Sequence, residues 1–303
     1  MTPLLLLHGF LGDPSVWSDV IARVGRRPPE ATGGAGGRPS RRLEPTTDAP
    51  RPSNTEPQIL PGSADTVVRA RISGPPPLVG TSPREVLRAA DAMALPGHGP
   101  RPWRSTRATF DDAVDAIAAR MPFAPALVVG YSMGARVALG LAARHPSLVA
   151  GMVLVGVDPG LATDVDRDAR IAWDDAQAHA IVEGGMALFV TSWESLPLFA
   201  TQQSLPAAMR ARRRAQRLAH TTDGLAWAMR ALGLGRMPPL WDALESLPMP
   251  IHLVTGALDE KFTAIARSMV AKAPRITHAI VPGAGHDVAL EAAQALAREI
   301  DTR

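Results

Sequence analysis

The stretch from Ala126 to Leu139, ALVVGYSMGARVAL, leaves the chain few folds to choose from. An apolar run, Ala126 to Val129, meets Gly130-Tyr131-Ser132-Met133-Gly134 and passes at once into an alanine-rich helical pattern. Strand, sharp turn and helix therefore follow one another without a linker, which is the context in which G-x-S-x-G marks a nucleophile at the tip of a strained turn. Glycines on both sides leave room where a Cβ would strike a neighbouring strand or helix. Ser132 is the expected nucleophile, its hydroxyl lifted clear of the sheet edge.

The pattern around this turn is that of a mostly parallel sheet. Leu4 to Leu7, a strand ending near Ala94, Ala150 to Val155, Ile251 to Thr255 and Thr277 to Val281 are short, apolar and separated by helical periods. Such strands are buried on both faces, with helices covering each side. Helices are expected from about Phe110 to Met121, after the turn as far as His145-Pro146, and from 287 to 301. Residues from about Thr163 to Leu240 are alanine-, arginine- and tryptophan-rich and are interrupted by Gly184-Gly185, Pro197, Pro206 and Gly224. Several short helices forming a lid are expected there. The organisation is thus a core in two parts, 1–160 and 241–303, with a helical lid at 161–240.

Residues 26–83 are of another kind. Between 26 and 90 there are twelve Pro and seven Gly in 65 residues, the composition of a low-complexity insertion that cannot bury enough apolar surface to order itself. Only Asp65 to Ile72 alternates as a short strand does. The pI of 10.1 suggests nucleic-acid binding, but the formal net charge is only +3. With no cysteine, one tyrosine and lysine only at 261 and 272, almost nothing titrates between histidine and arginine, so a small excess of positive charge raises the pI steeply. Ten of the arginines lie in 26–90 against six acidic residues, so no basic face for nucleic acid is expected on the rest. The absence of cysteine fits a reducing compartment. The N-terminus lacks a basic segment, a long apolar run and a cleavage site, and no stretch is long enough for a membrane helix. A cytoplasmic protein is the expectation.

The partners of Ser132 lie just beyond the carboxyl ends of strands, where parallel sheets place their ligands. Ile251 to Thr255 leads to Asp259, and Thr277 to Val281 leads to His286. The chain order Ser, Asp, His is the one that accompanies this kind of turn. Asp158 and Asp287 are alternatives for the acid. Leu4 to Leu7 ends in His8-Gly9-Phe10, which places the Phe10 N–H opposite the Met133 N–H as an oxyanion hole at the positive end of the helix. Arg136, four residues past Ser132, shares the nucleophile's helix face. A desolvated arginine is costly unless an anion meets it, so this position implies a carboxylate-bearing substrate. Arg210, Arg212, Arg213 and Arg214 read as a solvated helix face.

The motifs HGF, LPGHG, GYSMG, GALDEKF and GAGH together resemble the α/β-hydrolase fold family over residues 1–25 and 90–303. Within it the chain is most similar to the 2-succinyl-6-hydroxy-2,4-cyclohexadiene-1-carboxylate (SHCHC) synthases of menaquinone biosynthesis. The resemblance rests on HGFLGD with Trp17, GYSMGARVAL, Asp158-Pro159-Gly160-Leu161 with Arg167 and Arg170, Phe189 with Trp193, Arg217, and Asp259-Glu260-Lys261-Phe262. It implies Ser132, Asp259 and His286 as the triad, and Tyr131, Arg136, Arg170, Trp193, Arg217 and Lys261 as lining of the substrate pocket. It also implies elimination of pyruvate from a small tricarboxylate, with no metal or organic cofactor. The family's usual antiparallel hairpin before the first strand has no counterpart, and 26–83 enters between the first strand and the next. The competing enzyme class is a serine hydrolase of carboxyl esters or carbon–carbon bonds acting through an acyl-enzyme. A non-catalytic small-molecule receptor is a third possibility.

Overall fold

The computed structural model describes residues 2–25, 89–105 and 107–303. The expected insertion at 26–83 and its short strand at 65–72 lie outside the described residues. Six strands form one wholly parallel sheet: β1 (Leu4–Leu7), β2 (Ala90–Met93), β3 (Ala126–Tyr131), β4 (Val149–Val155), β5 (Ile251–Gly256) and β6 (Thr277–Val281), in the order β2-β1-β3-β4-β5-β6. The order reverses beside β1, and parallel sheets open a crevice at such a point.

Continuous apolar strands follow from having helices on both faces. Alternate residues divide between two cores. Leu5, Leu7, Val128, Met152, Leu154 and Leu253 pack with α2 (Phe110–Ala118), α3 (Met133–Arg144) and α7 (Glu260–Lys272), whereas Leu4, Leu6, Val129, Val153, Val155 and Val254 pack with α1 (Ser18–Ile21), α8 (Val288–Glu291) and α9 (Ala293–Asp301). All four leucines of β1 are fully buried, each worth about 1.5–3 kcal/mol. The expected closing helix is two, because Ala292 (φ −146°, ψ 48°) leaves helical geometry between α8 and α9.

Between β4 and β5 lie α4 (Asp164–Glu194), α5 (Ala207–Leu218) and α6 (Thr222–Ala231). The interruption expected at Gly184-Gly185 is present: Gly185 takes φ 72°, ψ 170°, outside helical geometry, so α4 consists of two helical segments that meet at a kink there. Positive φ suits glycine, and the bend turns the Phe189–Trp193 end of α4 over the carboxyl edge of the sheet. There the Trp193 ring lies 5.0 Å from that of Phe10, and Phe199 lies 6.3 Å from the His286 ring. Among the described residues no helix is long and apolar enough to cross a membrane.

The strand–turn–helix at Ser132 depends on close backbone approach. A Cβ on Gly134 would lie 2.2 Å from the Leu7 carbonyl oxygen, and one on Gly130 would lie 2.6 Å from the Ala135 Cα. Backbone atoms cannot yield as a flexible side chain does. Gly134→Ala is expected to destabilise the fold by about 3 kcal/mol, read as a lower urea midpoint with unchanged m-value.

Candidate active site

Ser132 sits between β3 and α3 at φ 51°, ψ −109°, a conformation that costs a non-glycine residue about 1–3 kcal/mol and is held by the packing around it. Its amide donates to the Val155 carbonyl at 2.8 Å, tying the turn to β4. The hydroxyl points at His286 Nε2, 3.1 Å away, and His286 Nδ1–H donates to Asp259 Oδ2 at 2.7 Å. The carboxylate thus sets the tautomer that leaves Nε2 free to accept the serine proton. His286 and Asp259 are buried. Asp259 is also the helix cap that its position allowed, its Oδ1 accepting the Phe262 amide of α7 at 3.3 Å. The two alternative acids are committed elsewhere: Asp158 Oδ1 accepts the Gly160 amide, and Asp287 caps α8.

The loop after β1 comes within reach of the same point. A Cβ on Gly9 would lie 3.5 Å from Ser132 Cβ, and Gly12 N–H closes a turn onto Gly9 C=O at 3.0 Å with Leu11 at φ 58°. Among the described residues neither the Phe10 nor the Met133 amide donates a hydrogen bond. Two free amides near Ser132, one at the positive end of α3, can receive an oxyanion.

Buried histidines brace this loop, a feature that HGF and LPGHG did not reveal as more than turns. His8 Nδ1–H donates to Gly9 C=O at 2.8 Å, and its Nε2 accepts the Leu95 amide at 3.0 Å. Its ring meets His98 at 4.9 Å, which meets His220 of the helical cap at 5.6 Å. Desolvation pulls His8 down to about 4 and lowers His98 and His220 as well. All three are neutral at pH 7. The unfolded chain takes up these protons near pH 6.5, so stability is fully present above that value and is lost as pH falls toward 4. His8 alone accounts for a loss of about 3 kcal/mol across that window. Urea midpoints are expected to be flat from pH 7 to 8 and to fall steadily from pH 6.5 to 4.5.

The aromatic wall is Phe10, Phe189, Trp193 and Phe199, with Phe262 4.4 Å and Tyr131 5.3 Å from the His286 ring. Burial raises the Tyr131 phenol well above its usual value, so it stays protonated.

The expected cations differ in their freedom. Arg136 is buried, donates to the Leu232 carbonyl at 2.8 Å, and has no carboxylate within ion-pair distance among the described residues. Burial, then the charge of Arg170, pulls it down to about 10, which still leaves it charged at pH 7. Arg170 lies over the Trp173 ring and pairs with Asp174 at 2.8 Å. Arg217 is buried but already held, by Glu194 at 2.8 Å and Gln202 at 3.0 Å. Lys261 is exposed, 5.4 Å from the Phe262 ring centre. The solvated-face reading of α5 holds for Arg210 and Arg212 and fails for Arg213, which is 5% exposed and pairs with buried Asp287 at 2.8 Å. The four-residue spacing of Arg213 and Arg217 was the available signal, since it puts both on one helix face.

Residues 95–293 match the model of the alpha/beta hydrolase fold family. The chain belongs to that family. A relative from Serratia proteamaculans (strain 568), named 2-succinyl-6-hydroxy-2,4-cyclohexadiene-1-carboxylate synthase, is 32% identical over 213 residues, covering 69% of this chain and 80% of that one. A Bacillus subtilis (strain 168) protein, whose name gives the same activity provisionally, is 40% identical over 164 residues. That match spans 54% of this chain and 60% of the Bacillus protein. The solved structure of MenH from S. aureus superposes with a TM-score of 0.74 at 24% identity, covering 99% of this chain and 91% of that one. At that identity the superposition speaks for the shared fold.

Proposed function

We propose that this α/β-hydrolase-fold protein is a carbon–oxygen lyase that eliminates pyruvate from 2-succinyl-5-enolpyruvyl-6-hydroxy-3-cyclohexene-1-carboxylate. Arg136 carries the reading: a buried guanidinium on the helix that begins at Ser132, bonded among the described residues to a single carbonyl and to no carboxylate, is costly unless a substrate anion completes it. A simple ester offers no such anion. The substrate carries three carboxylates, and Arg136 with Arg170 supplies the first anchors. Arg217 and Lys261 are secondary anchors, Arg217 reaching a carboxylate by sharing its hydrogen bonds with Glu194. Tyr131 and Trp193 line the ring-binding space. The relatives named for the synthase reaction support the same choice.

His286, oriented by Asp259, takes the proton of Ser132, and the serine oxygen removes the ring proton α to the succinyl ketone. The carbon–hydrogen pair becomes the enolate, whose oxygen lies between the Phe10 and Met133 amides. The enolate then re-forms the ketone, its electrons move through the ring, and the carbon–oxygen bond to the enolpyruvyl group breaks. The released enolate takes a proton to become pyruvate. No bond forms to Ser132. Intact-protein mass spectrometry during turnover of this substrate is therefore expected to show unmodified protein while product accumulates. A hydrolase would instead show an acyl adduct lost in Ser132→Ala and a burst with p-nitrophenyl esters, and that result would displace the lyase reading.

A further inference from the structure

The ion pair between Arg213 and Asp287 has no part in the chemistry above, yet it joins the helical cap to the residue next to His286. Arg213 lies on α5, and its Nη2 donates to Asp287 Oδ2 at 2.8 Å with both side chains almost wholly buried, 5% and 2% exposed. The other oxygen of Asp287 accepts the Leu290 amide at the start of α8. One carboxylate thus fixes the turn of chain that carries His286, with one oxygen on the core helix and the other on the cap. Arg213 Nε is buried and has no hydrogen-bond partner among the described residues, so the guanidinium is there at a desolvation cost that surface display does not explain.

The geometry points to Arg213 as a positioning residue: through Asp287 it holds the His286 imidazole in line with Ser132 only while the cap is docked. This rests on the assignment of His286 as the base, and it extends the site to a residue that touches neither substrate nor the reacting atoms. The charged and titratable groups on the elements packed against the imidazole are Asp259 at the cap of α7 and Lys261 within it, Ser132 and Tyr131 from β3 and its turn, Asp287 and Glu291 on its own side, and Arg213 and Arg217 from α5.

The test is a charge cycle of Arg213→Gln, Asp287→Asn and the double variant, read by histidine-selective NMR titration of His286, assigned with His286→Gln, alongside the kinetics of pyruvate release. Removing the cation leaves an uncompensated carboxylate on the residue after His286 and is expected to raise the His286 pKa, moving the acid limb of the rate profile to higher pH. Removing the carboxylate leaves a cation and is expected to lower it by about one unit. The double variant returns it close to the parent value and also stands in if a single variant does not fold. Each single variant should lower kcat about tenfold or more, with KM changed less than about twofold, because misplacement of a base acts on the chemical step. A His286 pKa that stays the same across the cycle overturns the proposal. So does a rise in KM with kcat intact, which would make Arg213 a substrate ligand. If the parent protein releases no pyruvate, the lyase reading fails and the titration still decides the role of Arg213.

Discussion

Ser132→Ala is expected to lower pyruvate release by about ten-thousandfold while leaving the urea midpoint at or above that of the parent. The size follows from the cooperation of the triad. His286 Nε2 reaches only the serine oxygen at 3.1 Å, so without that oxygen the imidazole has no relay to the ring proton. The stability side follows from backbone strain, since φ 51° penalises alanine about as much as serine and the lost hydroxyl leaves no buried donor behind. Binding should survive, because the arginines proposed to anchor the substrate are untouched. Retention of substrate binding with loss of turnover, followed by titration calorimetry and a coupled pyruvate assay, separates a chemical role for Ser132 from a folding one.

Arg136→Ala is expected to reduce kcat/KM for the tricarboxylate by about a hundred- to a thousandfold, about 3–4 kcal/mol, within the 2–5 kcal/mol typical of truncating one partner of a buried charge pair. Turnover of a neutral p-nitrophenyl ester, if any, should change little, since it has no carboxylate to lose. The contrast distinguishes substrate recognition from damage to the elbow. Arg136 also donates to Leu232 C=O, and a structural loss through that bond would depress both reactions together. Arg217→Ala is a weaker perturbation of recognition, because Glu194 and Gln202 already occupy that guanidinium.

The sheet and the hydrogen-bonded arrangement of Ser132, His286 and Asp259 were legible because each signal is local. The elbow is written in consecutive residues from Ala126 to Leu139, and Asp259 and His286 each follow an apolar strand by a few positions. Strands with no alternation announce helices on both faces before any contact is known. What was not legible is what depends on partners far away in sequence. Arg213 looks like one of five arginines on a polar helix until Asp287, 74 residues on, meets it. Arg217 looks free until Glu194 is placed beside it by the kink at Gly185. The edge-to-face row of His8, His98 and His220 comes from three separate segments, and single histidines after strands carry no mark of such a row. The glycine pair in α4 signalled a break, and Gly185 leaves helical geometry at that position; the direction of the bend depends on packing that the pair does not encode.

Pyruvate release from 2-succinyl-5-enolpyruvyl-6-hydroxy-3-cyclohexene-1-carboxylate by the parent protein, followed through lactate dehydrogenase, bears most directly on the proposed function. Release of one pyruvate per substrate consumed, dependent on both Ser132 and Arg136, is the result that proton abstraction at this site predicts. Intact substrate alongside brisk turnover of simple esters would contradict it, and would leave Arg136 a structural residue in a serine hydrolase.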